Sequence, residues 1–273
     1  MFTLGPNTAT LRSHTFLRNH KTFLADKTRS PQTARSLPLS RRGALGAGGL
    51  GLLTTVGVVG LGILGLASAA RADIFPPLKA MMKDDPRVLT QQGMQKFRTN
   101  DMEGAVEDFD QVIRVSPSYK PYMWQRGLAL YYLGRFDEGA RQFRDDVAVN
   151  PNDSEEAVWA YLCEAQTVGP ERARSNFLRV GRDRRPYMRA ALEVFETGRE
   201  PEKILQASND EVQGGGAQFY SRLYYALFHE SIGQMDVAKN SMLDAVATPY
   251  AEQSGDFMAA LARVHSLRRG WSQ

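Results

Sequence analysis

A single cysteine, Cys163, stands in the 273 residues, so no intramolecular disulfide can form and the folded state rests on packing. Its neighbours Ala160, Tyr161 and Leu162 make an apolar helical stretch, where a small buried hydrophobe is expected rather than a reactive thiol. Histidine is scarce too. Of the four, His14 and His20 fall near the N-terminus, while His229 and His265 sit neither in H-E-x-x-H spacing nor beside a second His or Cys. No metal site and no cofactor are expected from such a set. G-x-S-x-G does not occur, and Gly214-Gly215-Gly216 lacks the following Lys-Ser/Thr of a phosphate loop, so the glycine run reads as a linker. These absences point away from an enzyme. They leave open only a triad assembled from distant residues, which is recognised by geometry.

Acidic residues are nearly missing from the first part of the chain. Residues 1–72 hold nine Lys or Arg and one acid, Asp26, for a charge of +8, while the whole chain carries +4. Residues 73–273 are therefore at −4, from 25 bases and 29 acids. A nucleic-acid binder, which needs a net basic face on its folded part, is excluded on this ground. Residues 1–40 contain eleven Ser or Thr and no apolar run, the composition of an organelle transit peptide. Ser40-Arg41-Arg42 follows, then 28 uncharged residues from Gly43 to Ala70, then Ala70-Arg71-Ala72. Residues 41–72 thus read as a twin-arginine export signal with an A-x-A cleavage site. A permanent membrane anchor is the alternative, since the run is long enough to span a bilayer. Nine glycines in it favour the cleaved signal. The tandem arrangement looks like the bipartite presequence of plastid proteins sent to the thylakoid lumen, and membrane contact is then expected only during translocation.

Residues 73–273 carry an internal repeat. Gly93 and Gly127 are 34 apart, as are Pro117 and Pro151; Phe109, Phe143 and Phe177 keep the same step, and so do Ala105, Gly139 and Ala173. Small residues at these places let two short antiparallel helices approach, and Pro ends the second helix because it lacks the amide hydrogen a continuing helix needs. Thirty-four residues with Ala-x3-Phe and a closing Pro resembles the tetratricopeptide repeat (TPR) family. The fold expected is all-α, a TPR-like solenoid of helical hairpins with a C-terminal capping helix. Repeats are expected at about 86–119, 120–153 and 154–186, a degenerate hairpin at 187–213, a further repeat at 217–250 and an amphipathic cap at 254–268. The cap is expected to be solubilising, with Phe257, Leu261, Val264 and Leu267 inward and Arg263 and Arg268 outward.

The stretches Gln125–Arg135, Asn150–Asp153, Trp159–Glu164, Phe219-Tyr220 and Tyr224-Tyr225 are similar to NlpI-type TPR lipoproteins, although no lipobox cysteine is present. That resemblance implies a homodimer and an adaptor that presents substrates to a carboxy-terminal processing protease, here a lumenal one. A solenoid offers a groove lined by its first helices. The positions counted from Gly93, Gly127 and their equivalents include Met94, Phe97, Arg98, Trp124, Tyr131, Tyr132 and Gln166, with Thr90, Leu128, Val158, Leu162 and Ala165 beside them. The centre is aromatic and apolar with Arg98 at one side, and Trp, Tyr and Arg are residue types that dominate interfaces. Core packing is the alternative for each of them. The expected function is a non-catalytic scaffold in the thylakoid lumen for assembly or maintenance of photosynthetic complexes, its partner a photosystem subunit. The protease adaptor is the alternative. Arg182, Arg184 and Arg185 form a basic cluster, expected to be a solvated loop, with a site for a carboxylate or a lipid phosphate as the alternative.

Overall fold

Asp85 starts the first helix by accepting the Arg87 N–H at 2.7 Å, and Pro86 occupies a first-turn position where no amide hydrogen is needed. The resulting α1 (Pro86–Arg98) ends in basic residues that suit a helix C-terminus. Asn100 then takes the left-handed conformation, φ 66°, that reverses the chain, and Asp101 caps α2 (Met102–Val115) from the Gly104 N–H. In the next hairpin, Gly134 at φ 72° makes the same reversal between α3 (Trp124–Tyr132) and α4 (Phe136–Val149). A short 3-10 helix (Pro117–Tyr122) joins the two hairpins.

These elements belong to a computed structural model that describes residues 84–208 and 215–271. The chain divides into two units, residues 1–75 and 76–273, and every described residue lies in the second. The expected transit peptide and twin-arginine signal with its uncharged run fall outside the described residues, as do 209–213 at the end of the expected degenerate hairpin and Gly214 of the expected linker. Among the described residues there is no strand, and no helix is long and apolar enough to cross a membrane.

The helices pack in adjacent pairs. The small residues of the repeat do this directly: a Cβ on Gly93 would lie 2.5 Å from the Phe109 ring, and one on Gly127 would lie 2.6 Å from the Phe143 ring. Only glycine permits this approach. Gly139 of α4 similarly abuts the Cys163 sulfur of α5 (Ser154–Val168). Burial pushes the Cys163 thiol well above its usual pKa, so it is packed and unreactive at neutral pH.

The pairing then departs from the expected register. Gly169-Pro170 ends α5, and the helix that follows, α6 (Pro170–Ser175), is less than two turns long. Phe177 lies beyond it in non-helical chain, yet its ring still meets Tyr161 at 6.1 Å. The third repeat therefore keeps the aromatic contact and loses most of its second helix. α7 (Pro186–Thr197) and α8 (Glu202–Gln206) form the next pair, and α9 (Gly216–Ser231) and α10 (Met235–Val246) the one after, turned by Gly233 at φ 81°.

The largest difference is at the C-terminal end. After the short α11 (Pro249–Gln253), helix α12 (Phe257–Arg268) forms close to where the amphipathic pattern puts it. It is not a polar cap on the last hairpin. Nine of its twelve residues are buried, and it packs against α10 and against α1, the first described helix. A helix apolar on nearly all sides is a core helix. Leu267, expected inward, is instead 53% exposed.

Candidate functional site

Phe97, Trp124 and Tyr132 come together between α1, α3 and α12, and Tyr131 lies beside them against Phe136 and Trp159. Phe257 enters this set from α12, with ring centroids 4.9 Å from Phe97 and 5.4 Å from Trp124. Tyr131 adds edge contacts to Tyr132 at 5.3 Å and to Trp159 at 5.4 Å. Phe97 is fully buried, and Trp124, Tyr131 and Tyr132 are 5%, 3% and 8% exposed. Phe97, Trp124 and Tyr132 thus pack on Phe257 and His265 of the chain's own last helix, while Tyr131 packs on Phe136 and Trp159. Burial pushes the Tyr132 hydroxyl far above its usual pKa, as the loss of water around a phenolate requires.

The other three expected groove residues lie at the margin. Arg98 is exposed; its guanidinium stands 5.4 Å from the Phe257 ring centroid, and its Nη2 donates to the Gly255 carbonyl at 3.3 Å. Met94 is half-buried on α1. Gln166 is exposed near the C-terminal end of α5 and forms no hydrogen bond to the aromatic set.

Polar contacts hold α12 at both ends. At its start, the Asp256 carboxylate caps the helix through the Met258 N–H and accepts the hydroxyls of Tyr220 at 2.7 Å and Tyr250 at 2.6 Å. At its end, His265 is fully buried, with Nδ1 3.0 Å from the Tyr132 hydroxyl and Nε2 2.6 Å from Glu230 Oε2. Arg269 Nε donates to Glu230 Oε1 at 2.7 Å. Burial alone would raise the Glu230 pKa, but the His265 contact and the nearby Arg269 charge outweigh it and hold the carboxyl below its usual range. Arg268 completes the closure, donating to Asn100 Oδ1 at 2.8 Å and to the Tyr132 carbonyl at 3.0 Å.

A Tyr-His-Glu line invites comparison with catalytic relays. Here its central imidazole is wholly enclosed, so a substrate has no approach to it and the line works as a fastening. His229 is also buried; its Nδ1 meets Gln234 Oε1 at 2.5 Å, which ties the turn after α9. Among the described residues no group of three or more His, Cys, Asp or Glu side chains is arranged to hold a metal ion.

The basic cluster resolves into two kinds of arginine. Arg185 turns inward, bonded to Glu155 at 2.6 Å and Asp183 at 2.7 Å, whereas Arg182 and Arg184 stay exposed. Sequence reasoning missed Glu230, Asp256 and the closure they make. His265 and Arg269 are one helical turn apart and were visible as a shared face, but their partner on α9 carries no spacing signal. The class defined by these observations is an all-helical protein of adjacent helix pairs with a buried aromatic interior. No family model matches the chain.

Proposed function

We propose that the chain is a TPR-type solenoid that serves as a non-catalytic protein scaffold. The carrying observation is the repeated packing unit: Gly93 on Phe109 and Gly127 on Phe143, with Asn100 and Gly134 reversing the chain at the same register. Such units stack to present surface, and their usual work is binding other proteins. With α12 buried against Phe97 and Trp124, that binding falls to the outside of the described unit. The N-terminal composition supports delivery to the thylakoid lumen, where the partners proposed are membrane-complex subunits undergoing assembly or maintenance.

A crosslinking pull-down from isolated thylakoids tests this reading, with residues 73–273 as bait and mass spectrometry as readout. Enrichment of photosystem subunits is the expected result. Enrichment of a carboxy-terminal processing protease instead moves the scaffold to the adaptor role. Recovery of no thylakoid or lumenal protein above control contradicts both.

A further inference from the structure

The outside of the described unit is uneven in charge. Residues 84–168 carry nine Lys or Arg against fifteen Asp or Glu, net −6, whereas residues 169–199 carry eight Arg against four acids, net +4. Elsewhere basic side chains are commonly held by carboxylates, Lys96 by Asp108, Arg126 by Asp110 and Lys203 by Glu193 among them. Arg141, Arg172, Arg179, Arg182 and Arg184 differ: all five are exposed, and none forms a salt bridge among the described residues.

Two of them share one groove, and the backbone carries the other three along the chain that leaves it. Arg141 and Arg172 line a groove of about 390 Å³ between α4, α5 and α6, whose floor includes Ala140 and the half-exposed Val168. From its edge the chain is tied down twice. Arg144 Nη2 donates to the Asn176 carbonyl at 3.1 Å, and the Gly181 N–H donates to the Pro151 carbonyl at 2.7 Å. A side chain at Gly181 would collide with Asn152, so this second tie is close. Arg179 lies between the ties and Arg182 and Arg184 just past the second, which carries a basic stripe along the C-terminal half of α4. Val149, 47% exposed, ends that helix.

Unpaired guanidiniums gathered on one side attract a negative partner and orient it by paired hydrogen bonds to carboxylates. The same groove contains Asp137 and Glu164, the latter held by Arg144 at 2.6 Å, so its charge is mixed, which suits a uniformly charged phosphate chain or an anionic bilayer less than a polypeptide whose charges can be spaced. A segment whose carboxylates meet the exposed arginines and whose apolar side chain covers Ala140 and Val168 fits this lining. We propose that the stripe from Arg141 to Arg184 docks an acidic segment of a partner protein, with an apolar side chain of that segment seated on Ala140 and Val168. This rests on the scaffold reading and names its surface and the chemistry of its partner.

The test uses the full chain and fluorescence anisotropy of a labelled peptide of repeating Glu-Asp-Leu-Glu units. A peptide with Gln and Asn in place of the acids and vesicles of phosphatidylglycerol serve as comparisons. The basic N-terminal residues are common to all variants, so differences report on the stripe. Binding of the acidic peptide is expected to weaken at least about tenfold in R141Q/R172Q/R179Q/R182Q/R184Q and to stay unchanged in R114Q/K239Q, which removes exposed charge elsewhere. Should the fivefold variant fail to fold by circular dichroism, R179Q/R182Q alone is expected to give a smaller loss in the same direction. Equal binding by native and variant chains overturns the proposal, as does no binding of the acidic peptide. Arginine-dependent binding of vesicles without the peptide also overturns it and assigns the stripe to a membrane. Repeating the thylakoid pull-down with the fivefold variant separates the two readings: partners kept by the variant refute the stripe alone, and none captured by the native chain refutes the scaffold.

Discussion

Glu230 is the residue on which the end of α12 most depends. His265 and Arg269 both reach it, and it is nearly enclosed, with 6% of its side chain exposed. Removing one partner of a buried ion pair leaves the others uncompensated, so Glu230→Gln is expected to cost about 3 kcal/mol in denaturant unfolding. The pH dependence has a definite sign. Because the folded carboxyl titrates below its ordinary value of 4.5, its stabilisation is complete above that value and is lost as pH falls through the lowered one. The native chain should therefore lose stability faster than Glu230→Gln below about pH 4.5, as read from unfolding midpoints across that range. Gly127 gives a test of the opposite kind. Alanine there gains about 1 kcal/mol of helix propensity but drives a methyl into the Phe143 ring, and net destabilisation of about 1 to 2 kcal/mol is expected. Gly127 and Phe143 were legible in the sequence because a 34-residue period repeats them. Glu230 was not, because a single acid on a helix face looks like a solvated one until the helix that covers it is placed.

Among the helices, α12 decides which faces of α1 and α3 are closed. Its amphipathic pattern was legible, and the helix forms at Phe257–Arg268. Which surface it meets was not, because periodicity reports that a face is buried and not what buries it. The contact with Phe97 and Trp124 follows from chain geometry after α10, with Ser254 and Gly255 making the turn into it. Phe257→Ala is thus expected to act as a core truncation, destabilising by about 3 to 5 kcal/mol. Trp124→Ala should behave the same way. Unfolding curves beside the pull-down check this, since a groove residue would lose partners without losing stability. The short α6 teaches a related lesson: Phe177 kept the repeat's period in the sequence, while Gly169-Pro170 set the helix boundaries.

Across the described unit, closure joins residues far apart in the chain. Arg268 bonds Asn100 and Arg98 bonds Gly255, separations of 168 and 157 residues. An open stack of hairpins has mainly neighbour contacts and can fray from either end. This unit links its last helix to its first, so heat or denaturant is expected to unfold it in one cooperative transition, with near- and far-ultraviolet circular dichroism giving coincident curves. On the scaffold proposal, this closure leaves partner binding to outer surfaces such as the proposed arginine stripe.

Hydrogen exchange of α12 distinguishes a core helix at residues 257–268 from a detachable occupant of a groove. Native-state exchange read by mass spectrometry should find their amides as protected as those of α5, opening only with global unfolding. Exchange of α12 well ahead of α5 would contradict the account and return Trp124, Tyr131 and Tyr132 to a groove that opens for a partner.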